Sequence, residues 1–139
     1  MTSTAPATLV TSVDHVVLTV TDIEATTQWY ERTLGMQREF FHGPEGQPRH
    51  ALLFGNQKIN LQDAATETPT KARLPTPGAG DFCLVAAVPL DALIAHLQAA
   101  GIAIDTGPVS RRGALGAMRS VYLRDPDGNL VEVCEYPKT

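Results

Sequence analysis

The sequence predicts an α+β chain of two tandem βαβββ modules that together form a cleft of curved mixed sheets. Two observations predict this class. The order strand, helix, strand, strand, strand runs twice along the 139 residues. Matched positions of the two runs also keep one spacing, since His15 and Asp81, Leu18 and Leu84, and Gly35 and Gly101 each stand 66 residues apart (81 − 15). At this length a chain buries about two-thirds of the surface its unfolded form exposes. With 43% hydrophobic residues, one compact domain over about 11–136 is expected: module one at 11–66, a connector at 67–80 and module two at 81–136.

The elements follow in order. VDHVVLTV, Val13 to Val20, is rich in β-branched residues and predicts the first strand. Thr21 and Asp22 are placed to cap a helix that has Glu24 in its first turn and Gly35 just past its end. Met36 to Phe41, Arg49 to Phe54 and Lys58 to Gln62 are strand candidates separated by turn residues. TPTKARLPTPGAG has proline and glycine but no periodicity, so it reads as the connector. The order then repeats. Phe82 to Val88 is strand-like, Pro89 suits the first turn of a helix, and DALIAHLQAAG has apolar residues at helical spacing before Gly101. Ile102 to Val109, Ala117 to Arg124 and Leu130 to Tyr136 complete the module, the last two joined by the turn DPDGN.

Composition excludes several classes of partner. The net charge is −4 and the basic residues are scattered, so there is no clustered positive field for nucleic acid or an anionic membrane. No apolar run approaches the roughly 20 residues that span a bilayer. The start MTSTAPATLV has neither the charged region nor the long apolar core of a signal peptide, and a cytoplasmic location is the expectation. Cys83 and Cys134 fit no disulfide framework and no CxxC site. Each sits in an apolar run, which predicts buried free thiols.

The repeat points to a metal site. Two modules related by an approximate two-fold axis present equivalent positions to each other. Those positions carry His15 and Asp81 at one pair and, where the spacing drifts to 70 (132 − 62), Gln62 and Glu132 at the other. In LVEVCEY, alternation puts Leu130, Glu132 and Cys134 on one strand face. Leaving an ionised carboxylate unpaired among such neighbours costs several kcal/mol, so Glu132 requires a cation, strong donors or a proton. A divalent ion would satisfy it, as would Arg119 or Arg124. His15 shares a strand face with Val17 and Thr19.

DHVVLTVTDIEATTQWYERTLGM and MRSVYLRDPDGNLVEV resemble the opening and closing signatures of the vicinal oxygen chelate superfamily, which includes glyoxalase I, fosfomycin resistance proteins, bleomycin-binding proteins and extradiol dioxygenases. FGNQKINLQ, VPLDALIAHLQAAGIAI and GPVSRRGA are similar to the glyoxalase domain-containing protein 5 group and to related bacterial proteins labelled as virulence or glyoxalase-like. The resemblance covers about residues 11 to 136 and implies metal ligands at His15, Gln62, Asp81 and Glu132. Asp81 stands where active members usually carry a second histidine. One imidazole, two carboxylates and one amide make a hard, oxygen-rich set suited to Mn, Mg or Ni, with Zn the softer alternative, and argue against extradiol chemistry.

The resemblance implies a lyase or isomerase that chelates a small oxygenated electrophile, with a thiol adduct as the family-weighted substrate, through two oxygens, with Glu132 as the one titratable base. The alternative is a metal-free antibiotic- or metabolite-binding protein. SRRGALGAM is expected to be a loop closing over the cleft, and Arg111, Arg112 and Arg119 are candidates for an anionic substrate group. Two-module members commonly dimerise, so a homodimer is expected.

Overall fold

The computed structural model describes residues 7–138. β1 (His15–Val20), α1 (Ile23–Leu34), β2 (Gln37–His42), β3 (Pro48–Phe54) and β4 (Gln57–Asp63) form the first module. β5 (Asp81–Val85), α2 (Leu90–Ala99), β6 (Thr106–Gly113), β7 (Gly116–Arg124) and β8 (Leu130–Glu135) form the second. Each module is a four-stranded mixed sheet with its first strand on an edge, in the orders β1-β4-β3-β2 and β5-β8-β7-β6. The first strand runs parallel to the last because α1 or α2 carries the chain across; the other pairs are hairpins.

Local chemistry accounts for the element ends. Asp22 has extended backbone and accepts from the Ala25 amide at 2.9 Å, and Gly35 closes α1 at φ 70, a left-handed conformation that glycine adopts without strain. Asp22→Ala is expected to cost about 1 kcal/mol, read as a fall in melting temperature of roughly 3–4 °C. α2 begins after Pro89, which has no capping side chain; Glu135 from β8 accepts the Leu90 amide at 2.7 Å instead.

Two expectations are corrected. SRRGALGAM is not a loop: Ser110–Gly113 belongs to β6 and Gly116–Met118 to β7, paired by backbone hydrogen bonds across the Ala114–Leu115 turn. The strand expected over 102–109 starts four residues later, and its pairing with β7 is irregular between Thr106 and Val109. Gly107 and Pro108 lie there, on an edge strand that tolerates the missing amide donor.

The helix faces of both sheets share one core. Leu18, Val20, Leu52, Ile59 and Leu61 from the first module join Leu90, Leu97, Val121, Leu123, Val131 and Val133 from the second. A buried polar knot also ties the modules together. Asp125, 5% exposed, accepts from the Tyr30 hydroxyl of α1 at 2.7 Å. It also accepts from the amides of Asp127 and Asn129 and from Asn129 Nδ2. Thr21 donates its hydroxyl to Asp127 at 2.6 Å, and the Gly80 amide donates to Asn129 Oδ1 at 2.7 Å. The DPDGN turn is therefore fixed to the start of α1 and to the approach to β5. This sets the start of β8, the strand that carries Glu132.

Candidate metal and substrate site

Partners in a strand ladder point to the same side, so the registers sort the side chains. In the first sheet the face away from the helices carries three rows. His15 lies beside Lys58, Val17 beside Asn60, and Thr19 beside Gln62. In the second sheet the corresponding face carries Cys83 beside Glu132 and then Tyr122, and Val85 beside Cys134 and then Ser120. Asp81 is exposed at the start of β5, beside Leu130.

These rows revise one equivalence. The spacing of 66 that relates His15 to Asp81 also relates Val17 to Cys83, and the ladder partners of those two are Asn60 and Glu132. Asn60, not Gln62, therefore holds the position matching Glu132; Gln62 matches Cys134. A shift of two residues keeps a side chain on the same face, so alternation alone does not expose it.

Burial also bears on this pair. Among the described residues, Glu132 Oε2 and Asn60 Oδ1 are buried side-chain oxygens without a hydrogen-bond partner, as are the hydroxyls of Thr26, Thr33 and Ser120, a condition that costs about 1–3 kcal/mol per group, more when it is charged. The arginines that could have neutralised Glu132 are engaged elsewhere: Arg124 with Asp105 at 2.7 Å and Arg119 with Asp91 at 3.7 Å. Two matched, unpartnered oxygens fit a site that coordinates a cation.

The remaining residues are dispersed. His15 is exposed and bonds to Asp14 at 2.8 Å. It lines a cavity of about 240 Å³ with Lys58 and, from the second module, Phe82, Cys83 and Leu84. Gln62 lines a different cavity, of about 230 Å³, beside Arg49, His50 and Glu67. Among the described residues, no three His, Cys, Asp or Glu side chains form a metal-holding group within one chain.

Of the three arginines singled out for substrate, only Arg111 shares the face of Glu132. Its Nε donates to the Tyr122 hydroxyl at 2.9 Å, and its guanidinium lies 5.4 Å from that ring's centre. Arg112 alternates to the helix face, and Arg119 is held there by Asp91 of α2. The first sheet offers two further cations on this face. Lys58 lies 4.4 Å and Arg49 6.0 Å from the centre of the Phe41 ring. Lys58 is paired with Glu39 at 3.4 Å. Only the alternation of PRHALLF could have placed Arg49 on this face.

One thiol departs from expectation. Cys134 is buried as expected but Cys83 is exposed, on β5, an edge strand whose outer side no other strand among the described residues covers. Loss of hydration against the sheet, then the neighbouring Cys134 and Glu132, pushes the Cys83 thiol well above its ordinary range. Cys134 is raised too, by burial first and by Glu132.

A family model described as the Glyoxalase/Bleomycin resistance protein/Dioxygenase superfamily matches residues 12–133. The chain is 44% identical over 128 residues to the Virulence protein STM3117 of Salmonella typhimurium, covering 92% of this chain and 86% of that one. Among solved structures, a protein from the mobile metagenome of V. Pseudocholerae superposes with a TM-score of 0.88 at 42% identity, covering 95% of this chain and 99% of the other. A lactoylglutathione lyase from Agrobacterium tumefaciens does so with a TM-score of 0.64 at 27% identity, covering 89% and 92%. With its two tandem modules, the chain belongs to the Glyoxalase/Bleomycin resistance protein/Dioxygenase superfamily and has the vicinal oxygen chelate fold.

Proposed function

We propose that the chain is a glyoxalase-like, metal-dependent lyase or isomerase acting on a small oxygenated electrophile, with a thiol adduct as the favoured substrate class. The observation that carries this reading is the buried, unpartnered Oε2 of Glu132 at the position matching the equally unpartnered Oδ1 of Asn60. His15, Asp81 and Glu132 would hold a divalent ion, with the carboxamide of Asn60, or of Gln62 one row further along, as fourth donor. When bound, such an ion supplies Lewis acidity to a substrate gripped through two neighbouring oxygens.

The chain's own residues do the rest. Glu132 takes a proton from one carbon of the substrate and returns it to the next, since neither Asn60 nor Gln62 has a titratable proton to share. Arg111, held against Tyr122, receives an anionic substituent. The test is a panel of hemithioacetals made from small dicarbonyls and thiols, given to the metal-loaded chain. Turnover should fall by about 10²–10⁴-fold in Glu132→Gln, and His15→Ala should abolish it. Equal turnover in wild type and Glu132→Gln would remove Glu132 as the base.

A second reading, a metal-free protein that sequesters an antibiotic or metabolite, draws its support from the amide at position 60 and the single imidazole at the site. Tight binding of an intact small molecule, with no conversion and no metal requirement, would favour it.

We also propose a homodimer. Val16, Val17 and Val85 are 41%, 47% and 68% exposed on the edge strands β1 and β5, where uncovered apolar side chains and open backbone groups invite pairing with another chain. Sedimentation should give twice the chain mass, and Val17→Glu should give the single-chain value. Mixing His15→Ala with Glu132→Ala chains restores one of the two sites in each mixed dimer if each cleft takes one module from each copy, and none if it lies within a copy.

A further inference from the structure

The cavity of about 230 Å³ that Gln62 lines opens at the end of the first sheet, between the turn joining β2 to β3 and the segment that follows β4. Hydrogen bonds fix both walls. On one side the Gly43 amide donates to the Gln47 carbonyl at 2.8 Å and the Glu45 amide to Gln47 Oε1 at 2.9 Å. On the other, the Ala64 amide donates to the Val20 carbonyl at 2.9 Å and the Thr66 amide to that of Asp63 at 3.1 Å. The volume lies below the roughly 300–1,000 Å³ of pockets that take drug-sized ligands, so it suits a small metabolite.

The side chains of the wall differ in whether the protein satisfies them. Gln62 is 8% exposed, and its carboxamide has no hydrogen-bond partner among the described residues. Arg49 is half-buried. Ion pairs among the described residues engage Arg38, Arg119 and Arg124 but not Arg49, whose guanidinium has only the Phe41 ring near it, at 6.0 Å. The β3–β4 pairing reaches His50 and Leu61, so Arg49 and Gln62, one step further, stand side by side. A half-desolvated guanidinium and an open amide are costs that a ligand carboxylate relieves, accepting two parallel N–H bonds from the first and another from the second.

The acidic residues define the other end of the ligand. Asp63 already accepts the Ala65 amide at 2.8 Å, and Glu67 holds the Lys71 ammonium at 2.6 Å. The carboxylate of Glu45, exposed on the turn, has no such partner among the described residues. Three carboxylates and one guanidinium around one cavity repel phosphate or any bare anion. A molecule carrying both a carboxylate and an ammonium meets both kinds of wall. Ile23, Pro48, Leu61 and Pro69 supply an apolar remainder, which suits a short uncharged side chain.

We propose that this cavity binds a small α-amino acid with an uncharged side chain, its carboxylate on Arg49 and Gln62 and its ammonium toward Glu45. Gln62 is then engaged here, which leaves Asn60 as the amide donor of the ion site. The proposal needs neither a metal nor turnover, so it stands or falls separately from the enzyme reading.

The test is a nuclear magnetic resonance titration of the metal-free, full-length protein with L-alanine, reading the side-chain N–H signals of Arg49 and Gln62. Propionate, ethylamine and inorganic phosphate are the comparison probes: the first two each lack one of the charged groups, and the third is a bare anion. L-Alanine should shift both signals saturably, propionate and ethylamine should bind about tenfold more weakly or worse, and phosphate should leave the signals in place. Arg49→Met, which keeps an apolar stem against Phe41, should weaken L-alanine binding by about tenfold or more. Glu45→Gln, on the exposed turn, should weaken L-alanine but not propionate. Shifts that do not saturate with L-alanine, propionate or phosphate binding as tightly as L-alanine, or wild-type affinity in Arg49→Met would overturn the proposal.

Discussion

Asp125→Ala is expected to destabilise the protein by about 3–5 kcal/mol, a fall of roughly 10–20 °C in melting temperature. The carboxylate accepts four hydrogen bonds in a setting where it is only 5% exposed. Its loss leaves the Tyr30 hydroxyl and the Asn129 amide without an acceptor, and each buried orphan costs about 1–3 kcal/mol. Because the knot joins α1 of the first module to the turn before β8, the loss acts on both modules at once. Tyr30→Phe removes one of the four bonds and should cost about 1–2 kcal/mol.

The same knot gives an alkaline limit. Burial first, then the Asp125 charge, pushes the Tyr30 phenol far above its ordinary value near 10. A group whose pKa is raised on folding contributes stability that is whole below the unfolded value and is lost as pH rises above it. Stability should therefore decline above about pH 10, and that decline should flatten in Tyr30→Phe. A denaturant series from pH 8 to pH 11 on both proteins checks this. Parallel curves would show that Tyr30 does not carry the effect.

The second large effect has the opposite sign. Glu132→Gln is expected to stabilise the metal-free protein by about 1–2 kcal/mol, although it removes the residue on which the proposed chemistry depends. A buried carboxylate oxygen without a donor is a standing cost to the fold, and replacing its charge with an amide relieves much of that cost. Functional sites are where such local conflicts are retained. With saturating divalent ion the order should reverse, because binding to the native state adds stability to the wild type that the variant cannot gain. Melting curves with and without ion supply both comparisons. Glu132→Gln being less stable than wild type in both conditions would mean the carboxylate serves the fold and not a ligand.

The βαβββ order and the 66-residue spacing were legible because strand and helix periods, cap residues and turn glycines are local signals, and each first strand is followed by a helix ended by glycine at the same distance. What stayed hidden depends on pairing. The rows set Asn60 opposite Val17 and Glu132 opposite Cys83, but the hairpins before β4 and β8 differ in length. A constant spacing therefore fails there, and period-two alternation cannot detect a slip of two. SRRGALGAM carries the glycine and charge of a loop, yet becomes the end of a hairpin because β7 supplies its backbone partners. Cys83 has apolar sequence neighbours but lies on an edge that the sequence does not mark as one. The same alternation that gave Arg111 the face of Glu132 removed Arg112 from it.

The most direct test of the central claim, that His15 and Glu132 contribute to one divalent-ion site, is elemental analysis of the purified protein after loading with Mn, Ni, Mg or Zn and exhaustive dialysis. The account predicts one retained ion per cleft in the wild type, and none in His15→Ala or Glu132→Ala chains that remain folded. Wild-type protein that retains no stoichiometric metal after any of these loadings, or a Glu132→Ala chain that retains as much as the wild type, would contradict it.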